Sequence, residues 1–336
     1  MAIPHRASGV HDYPSRKLGR RPPKHAPALM LADFLSGAVP AHPAVTDHIA
    51  ANPFGLYEND QFGDCGPTSV ANLVRLVSAG LLGAEVQPSQ DEVFDLYRRS
   101  GNPSFNPATG TGDDGVDMQT MLEALHSGGI GDVKPLAFAK VDESSDAELD
   151  AAVSIFGGVL WGVNLLTAQQ DQTDQGEWDY SKSPEWGGHA IVNGAFDEGT
   201  KIEDVISWGL RVKTTSPFRK HQLEEAWVVI WQWNIDHPAF QEGIDVQALA
   251  DAYHTLTGVT LPDLPPPGPA PTPPPPPPPV PLPPAPGGGT APGPFLVGPF
   301  SDRVAARLAA RAAAKGMTIE QYITYHVQTG SGHWKG

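Results

Sequence analysis

The chain has 336 residues, 22 Lys/Arg against 38 Asp/Glu for a formal net charge of −16, and a single cysteine. One cysteine excludes a disulfide framework and a Cys-cluster zinc site, and the lack of any run of about 18 apolar residues predicts no membrane-spanning helix. Residues 1–30 carry six Lys/Arg and one Asp, residues 31–265 carry 11 against 35 Asp/Glu, and residues 301–336 carry five against two, so the acidic body repels phosphate backbones and nucleic acid is not an expected partner.

Residues 1–28 read as a basic, irregular arm, because Pro4, Pro14, Pro22, Pro23 and Pro27 interrupt any element. The arm holds basic residues but no apolar signal core, which predicts cytoplasmic synthesis without a secretory signal. Its expected use is as a disordered or docking tail. A globular region, 29–260, follows and is long enough to bury a sizeable core.

The stretch "PTSVANLVRLVSAGLLG" sets Val70, Leu73, Val74, Val77 and Leu81 at helical spacing, with Gly80 and Gly83 as stop signals. "SQDEVFDLYRRSG" is a second helix with Ser89 as its N-cap. "GNPSFNPATGTGDDG" is a loop by its turn residues. "VDMQTMLEALHSGGIG" is a third helix, capped by Asp117 and ended by Gly128–Gly129, and "DAELDAAVSIFGG" is a short fourth. The texture then changes to "VLWGVNL", "HAIVNGAF", "EDVISWGLRV" and "EAWVVIWQWN", rich in β-branched and aromatic residues and split by turn formers. Helices first and strands later predict an α+β domain whose antiparallel sheet packs against the helices.

Residues 261–294 form a Pro-rich linker. Seven consecutive prolines, 273–279, predict a stiff polyproline II rod at about 3.1 Å per residue. Residues 295–336 read as a small helical segment, with one helix capped by Ser301, a break at Gly316 and a helix capped by Thr318, whose capping box is completed by Gln321. Too short to be stable alone, the segment is expected to oligomerise or dock on a partner.

The lone cysteine, Cys65, lies within "ENDQFGDCGPTSVANLVRL" at the mouth of the first helix. Pro67 suits a first helical turn, since its missing N–H would be an orphan there anyway. The unpaired amides and the dipole of a helix start stabilise a thiolate, and the Cys65 amide can donate to an oxyanion. The competing role is a buried structural thiol. Two further features point to chemistry. His189, in "EWGGHAIVNGAF", enters a strand directly after two glycines, where another chain can approach its ring. "DVISWG" follows, a strand ending in Ser-Trp-Gly.

A helix-borne Cys, then a strand His, then Ser-Trp-Gly resembles the papain-like cysteine peptidases, including their C39-like branch with its Asp-Cys-Gly opening. The segments "ENDQFGDC", "SGGIGD", "GGHAI" and "VISWG" are similar to those of a papain-like family of bacteria and their phages. The resemblance implies a papain-like fold, Cys65 as nucleophile and His189 as base. In papain-like enzymes an Asn just before Ser-Trp-Gly orients the histidine; Ile206 holds that place here, so Ser207 or Asp204 would take over. As oxyanion donor, the papain spacing favours Asn59 and residue type favours Gln61. The C-terminal segment resembles the helical half of ribbon-helix-helix proteins.

Two functions follow. One is a cysteine hydrolase acting on a peptide or protein substrate; the other is a structural or adaptor module of a virion, oligomerised through the tail. No metal or organic cofactor motif is present.

Overall fold

A computed structural model of the chain describes residues 16–23, 29–37, 39–49 and 54–257. The Pro-rich linker and the helical tail, with the Ser301 and Thr318 caps, lie outside the described residues. The helices of the first half form where local signals start them. α1 (Cys65–Leu82) runs through Gly80 and stops only at Gly83, whose φ of +64° is the left-handed turn that glycine adopts without strain. α2 (Gln90–Arg99) carries a full capping box, the Ser89 side chain accepting from the Glu92 amide while Glu92 reaches back to the Ser89 amide. α3 (Met118–Gly128) starts at Asp117, which accepts from the Thr120 amide, and α4 (Asp146–Phe156) starts at Ser145 and ends at Gly157.

The strands are β1 (Arg20–Arg21), β2 (Val45–Asp47), β3 (Val116–Asp117), β4 (Ala137–Val141), β5 (Val159–Leu166), β6 (Glu177–Trp178), β7 (Glu185–Asp197), β8 (Ile202–Ser207), β9 (Leu210–Thr215) and β10 (Leu223–Ile230). Four further helices, α5 (Ala168–Gln175), α6 (Ser216–Gln222), α7 (Gln232–Ile235) and α8 (Pro238–Gly243), lie between or after them, and α9 (Val246–Thr257) closes the described chain. The main sheet has the order β4-β10-β5-β7-β8-β9-β6, antiparallel apart from the β9–β6 pair, with β2 joining β7 at Ala195–Asp197. This is the α+β architecture, with helices packed on a largely antiparallel sheet.

Side-chain alternation sends each strand's residues into two cores. Leu160, Ala190, Val192, Ile206, Trp227 and Val229 join the helical layer of α1, α2 and α3. Trp161, Ile191, Val205, Val228 and Ile230 face the opposite layer, which contains α4.

Three expectations need correction. "EDVISWGLRV" is two strands rather than one: Trp208 and Gly209 both have positive φ, +47° and +72°, and reverse the chain between β8 and β9 as a two-residue hairpin turn requires. "WQWN" leaves the sheet after Ile230 and enters α7. The arm is not irregular throughout, because Arg20–Arg21 pair in parallel with Val116–Asp117. Pro22 and Pro23 follow that strand and interrupt none of its bonds.

Candidate active site

The site forms where the start of α1 meets β7. Ser69, one turn into α1, donates from Oγ to the Ala190 carbonyl at 2.9 Å. The Cys65 thiol faces the Ala190 amide, one residue from His189. β8 pairs with β7 only from Val192 onward, so β7 reaches the site along an edge that β8 leaves uncovered.

His189 is held on two sides. Its Nε2 lies 2.9 Å from Ser207 Oγ, and its ring stacks on Trp208 with centroids 4.1 Å apart and planes 16° from parallel. The hairpin turn at Trp208 makes both contacts possible, because it ends β8 at Ser207 and folds the indole back over the imidazole. Nδ1 is buried and, among the described residues, has no hydrogen-bond partner.

The two candidate orienters go to different places. Ser207 contacts His189. Asp204, three residues earlier and therefore on the other face of β8, accepts from Arg211, which also donates to Asp47. Ile206 is buried in the helical-side core. The two candidate oxyanion donors also part. Asn59 is buried and spends its side-chain NH2 on the Phe62 carbonyl (2.9 Å) and the Asp64 carboxyl (3.2 Å). Gln61 stands at the solvent.

Burial overrides the helix start in setting the thiol. Desolvation pushes Cys65 up to about 11, Asp64 adds to the rise, and the Ala190 and Gly19 amides with the Arg20 charge pull against it. Burial likewise lowers His189 to about 3. At neutral pH both groups are therefore uncharged. Asp64, the N-cap of α1, is wholly buried, and its carboxyl is held well above the usual range by desolvation. Asp64→Asn keeps the acceptor for Asn59 and removes a charge that burial disfavours. A folded pKa above the unfolded one favours the fold at low pH and is lost as pH rises through it. The variant is therefore expected to melt higher than the parent at pH 8, but not at pH 3, in paired thermal melts. Its thiol should also titrate lower.

Sequence reasoning missed the arm's part in the site. Lys17 donates its amide to the Asn59 carbonyl (3.0 Å) and accepts at its own carbonyl from Trp208 Nε1 (3.3 Å). The Gly19 amide faces the Cys65 thiol, and the Gly19 carbonyl accepts from the Val116 amide at 2.7 Å. Arg20, its side chain 1 % exposed, pairs with Glu225, equally buried. The one signal for this pair was "LEEAWVVI", two acids leading an otherwise apolar strand.

No protein-family model matches the chain, and no curated protein matches it by sequence. Solved structures do. Xylellain, a cysteine protease from Xylella fastidiosa, superposes with a TM-score of 0.51 at 13% identity, over 67% of this chain and 99% of that one. The fold is papain-like. Two other papain-like neighbours fit less well: procathepsin B S9 from Trypanosoma congolense (TM-score 0.46, 9% identity, 66% and 89% of the chains) and the Carica candamarcensis protease CMS1MS2 bound to E-64 (0.43, 14%, 56% and 99%). In this papain-like chain the helix that opens with Cys65 and the strand that carries His189 meet at Ala190.

Proposed function

We propose that the chain is a cysteine hydrolase of peptide or amide bonds, with Cys65 as nucleophile and His189 as its base. The observation that carries the reading is the state of His189: a buried imidazole fixed through Nε2 and through the face of its ring, with Nδ1 left unpartnered. An unmade bond on a buried polar atom costs roughly 1–3 kcal/mol. A base needs that nitrogen open.

Ser207 stands in for the missing asparagine. With its oxygen accepting Nε2–H, the lone pair of the neutral ring lies on Nδ1. Nδ1 takes the thiol proton as the sulfur adds to the carbonyl carbon. The proton then passes to the leaving amine as the C–N bond breaks, which leaves a thioester on Cys65. His189 next deprotonates a water, which attacks the thioester and releases the acid while the thiol regains its proton. The developing oxyanion falls at the start of α1, where the Cys65 amide has no intrahelical acceptor. Gln61 is the side-chain donor on the solvent side, since Asn59 is committed inside.

Burial sets both perturbed pKa values, so hydration of the site lowers the thiol and raises the imidazole toward a working pair. The test is cleavage of a mixed peptide library, with products read by mass spectrometry. The chain, or its Gly19→Val variant with the arm displaced, should cleave peptides, and Cys65→Ser should cleave none. Equal cleavage by Cys65→Ser, or none by either active form, overturns the proposal.

A further inference from the structure

The segment Arg16–Arg21, sequence RKLGRR, passes beside Cys65 in a channel that glycines keep open. A Cβ on Gly115 would fall 2.1 Å from the Gly19 carbonyl oxygen, one on Gly188 2.3 Å from the Arg20 carbonyl oxygen, and one on Gly162 2.5 Å from Arg20 Nε. The glycine pair ahead of His189 thus admits a chain, and that chain is the protein's own arm. Its main chain is gripped by Asn59, Val116 and Trp208 through bonds that any extended peptide would make.

Two positions in the segment read side chains. At position 19 nothing larger than glycine fits, since a Cβ there would lie 1.7 Å from the Gly63 carbonyl oxygen. At position 20 the guanidinium enters an acidic pocket, where Nε donates to Glu225 Oε1 at 2.7 Å and Nη1 donates to Glu224. Glu225 does not depend on the arm for its direction. It sits on β10, inside the sheet between β4 and β5, and its other oxygen accepts from Trp227 Nε1 at 2.8 Å. A carboxylate fixed in this way at a buried site is costly without a cation. Of the cations, a guanidinium fits best, because its fork meets two acids at once.

From this geometry we propose that Glu225, with Glu224, is the specificity-determining pocket of the site and selects a substrate arginine next to a glycine-sized residue at the thiol. The chain's own Arg20 fills that pocket in the resting state. The proposal rests on Cys65 being the nucleophile only for calling the bound peptide a substrate; the binding itself needs no turnover.

The test measures binding and cleavage separately. A fluorescent Lys-Leu-Gly-Arg-Arg peptide and its analogue with citrulline at the first arginine are titrated against the full-length Gly19→Val/Arg20→Ala chain. Valine expels the arm by its clash with Gly63, and citrulline keeps the shape of arginine without its charge. The arginine peptide should bind at least tenfold tighter, and adding Glu225→Gln should abolish that preference. Equal binding, or a preference that survives Glu225→Gln, overturns the pocket. A selective peptide that binds without being cleaved leaves the pocket standing and sinks the hydrolase; cleavage with no arginine preference does the reverse. Should the double variant not fold, Arg20→Ala alone vacates the pocket, and millimolar agmatine serves as a free guanidinium. Agmatine should raise the melting temperature of Arg20→Ala but not of Arg20→Ala/Glu225→Gln, and the absence of that difference overturns the proposal equally.

Discussion

Peptide turnover by the Gly19→Val chain should fall by about 10²–10⁴-fold when His189 becomes alanine, the usual share of a positioned acid–base group. In the resting chain burial puts Cys65 at about 11, so roughly one thiol in 10⁴ is ionised at pH 7. Removing the arm hydrates the sulfur, yet the proton still needs an acceptor, and His189 Nδ1 is the one supplied. Ser207→Ala should act through the histidine and cost about tenfold or more in kcat. KM should change little, since Ser207 is a positioning residue that touches His189 and no substrate. Ser207→Thr, which keeps the hydroxyl, should restore most of the rate. Steady-state kinetics on these variants check the expectation, and a Ser207→Ala loss confined to KM would contradict it.

The second large effect is on stability against pH. Burial lowers His189 to about 3, while it raises Glu203 to about 7 and Asp150 to about 6, against the pull of Arg219 on both. With a folded pKa below its unfolded one, His189 contributes stability that is full above about pH 6.5 and lost as pH falls toward 3. The carboxyls run the other way: their contribution is full below about pH 4 and lost as pH rises through 6 and 7. At 1.36 kcal/mol per unit, His189 loses about 3 kcal/mol between pH 6.5 and 4, and Glu203 gains on the order of 3 kcal/mol over pH 7.5 to 4.5. In the parent the His189 loss therefore offsets part of the carboxyl gain between pH 7.5 and 4.5. His189→Ala should gain stability on acidification, by roughly 2–4 °C per kcal/mol for a domain of this size. Relative to the parent, Glu203→Gln should lose stability on acidification, with Arg219 still held by Asp146. Calorimetric melts at the two pH values decide the matter; an unchanged pH profile in His189→Ala would mean that the buried ring is already charged.

What the sequence revealed and what it hid divide along contact range. The caps at Ser89 and Asp117 are signals within three residues, and the helices start there. Cys65 and His189 were legible as candidates because a reactive residue at a helix start and a histidine after two glycines are local patterns. The choice between Ser207 and Asp204 was not, since it turns on where β8 ends. Only the positive φ of Trp208, unusual for a tryptophan, places the hairpin and sends Ser207 to the ring. The arm was least legible. Arg20 meets Glu225 across 205 residues, and the prolines around Arg20–Arg21 mask a strand made by pairing with a distant segment. The raised thiol was hidden for the same reason. The helix start favours a thiolate, but burial beneath the arm is a tertiary effect and here the larger one.

The most direct measurement is the rate at which iodoacetamide alkylates Cys65 at pH 7 in three full-length chains. The parent should react far more slowly than a free thiol. Gly19→Val should react at least a hundredfold faster than the parent, and His189→Ala in that background should return the rate to that of an unassisted thiol. If Gly19→Val reacts no faster than the parent, or equally fast with and without His189, Cys65 and His189 are not the arm-covered catalytic pair described above.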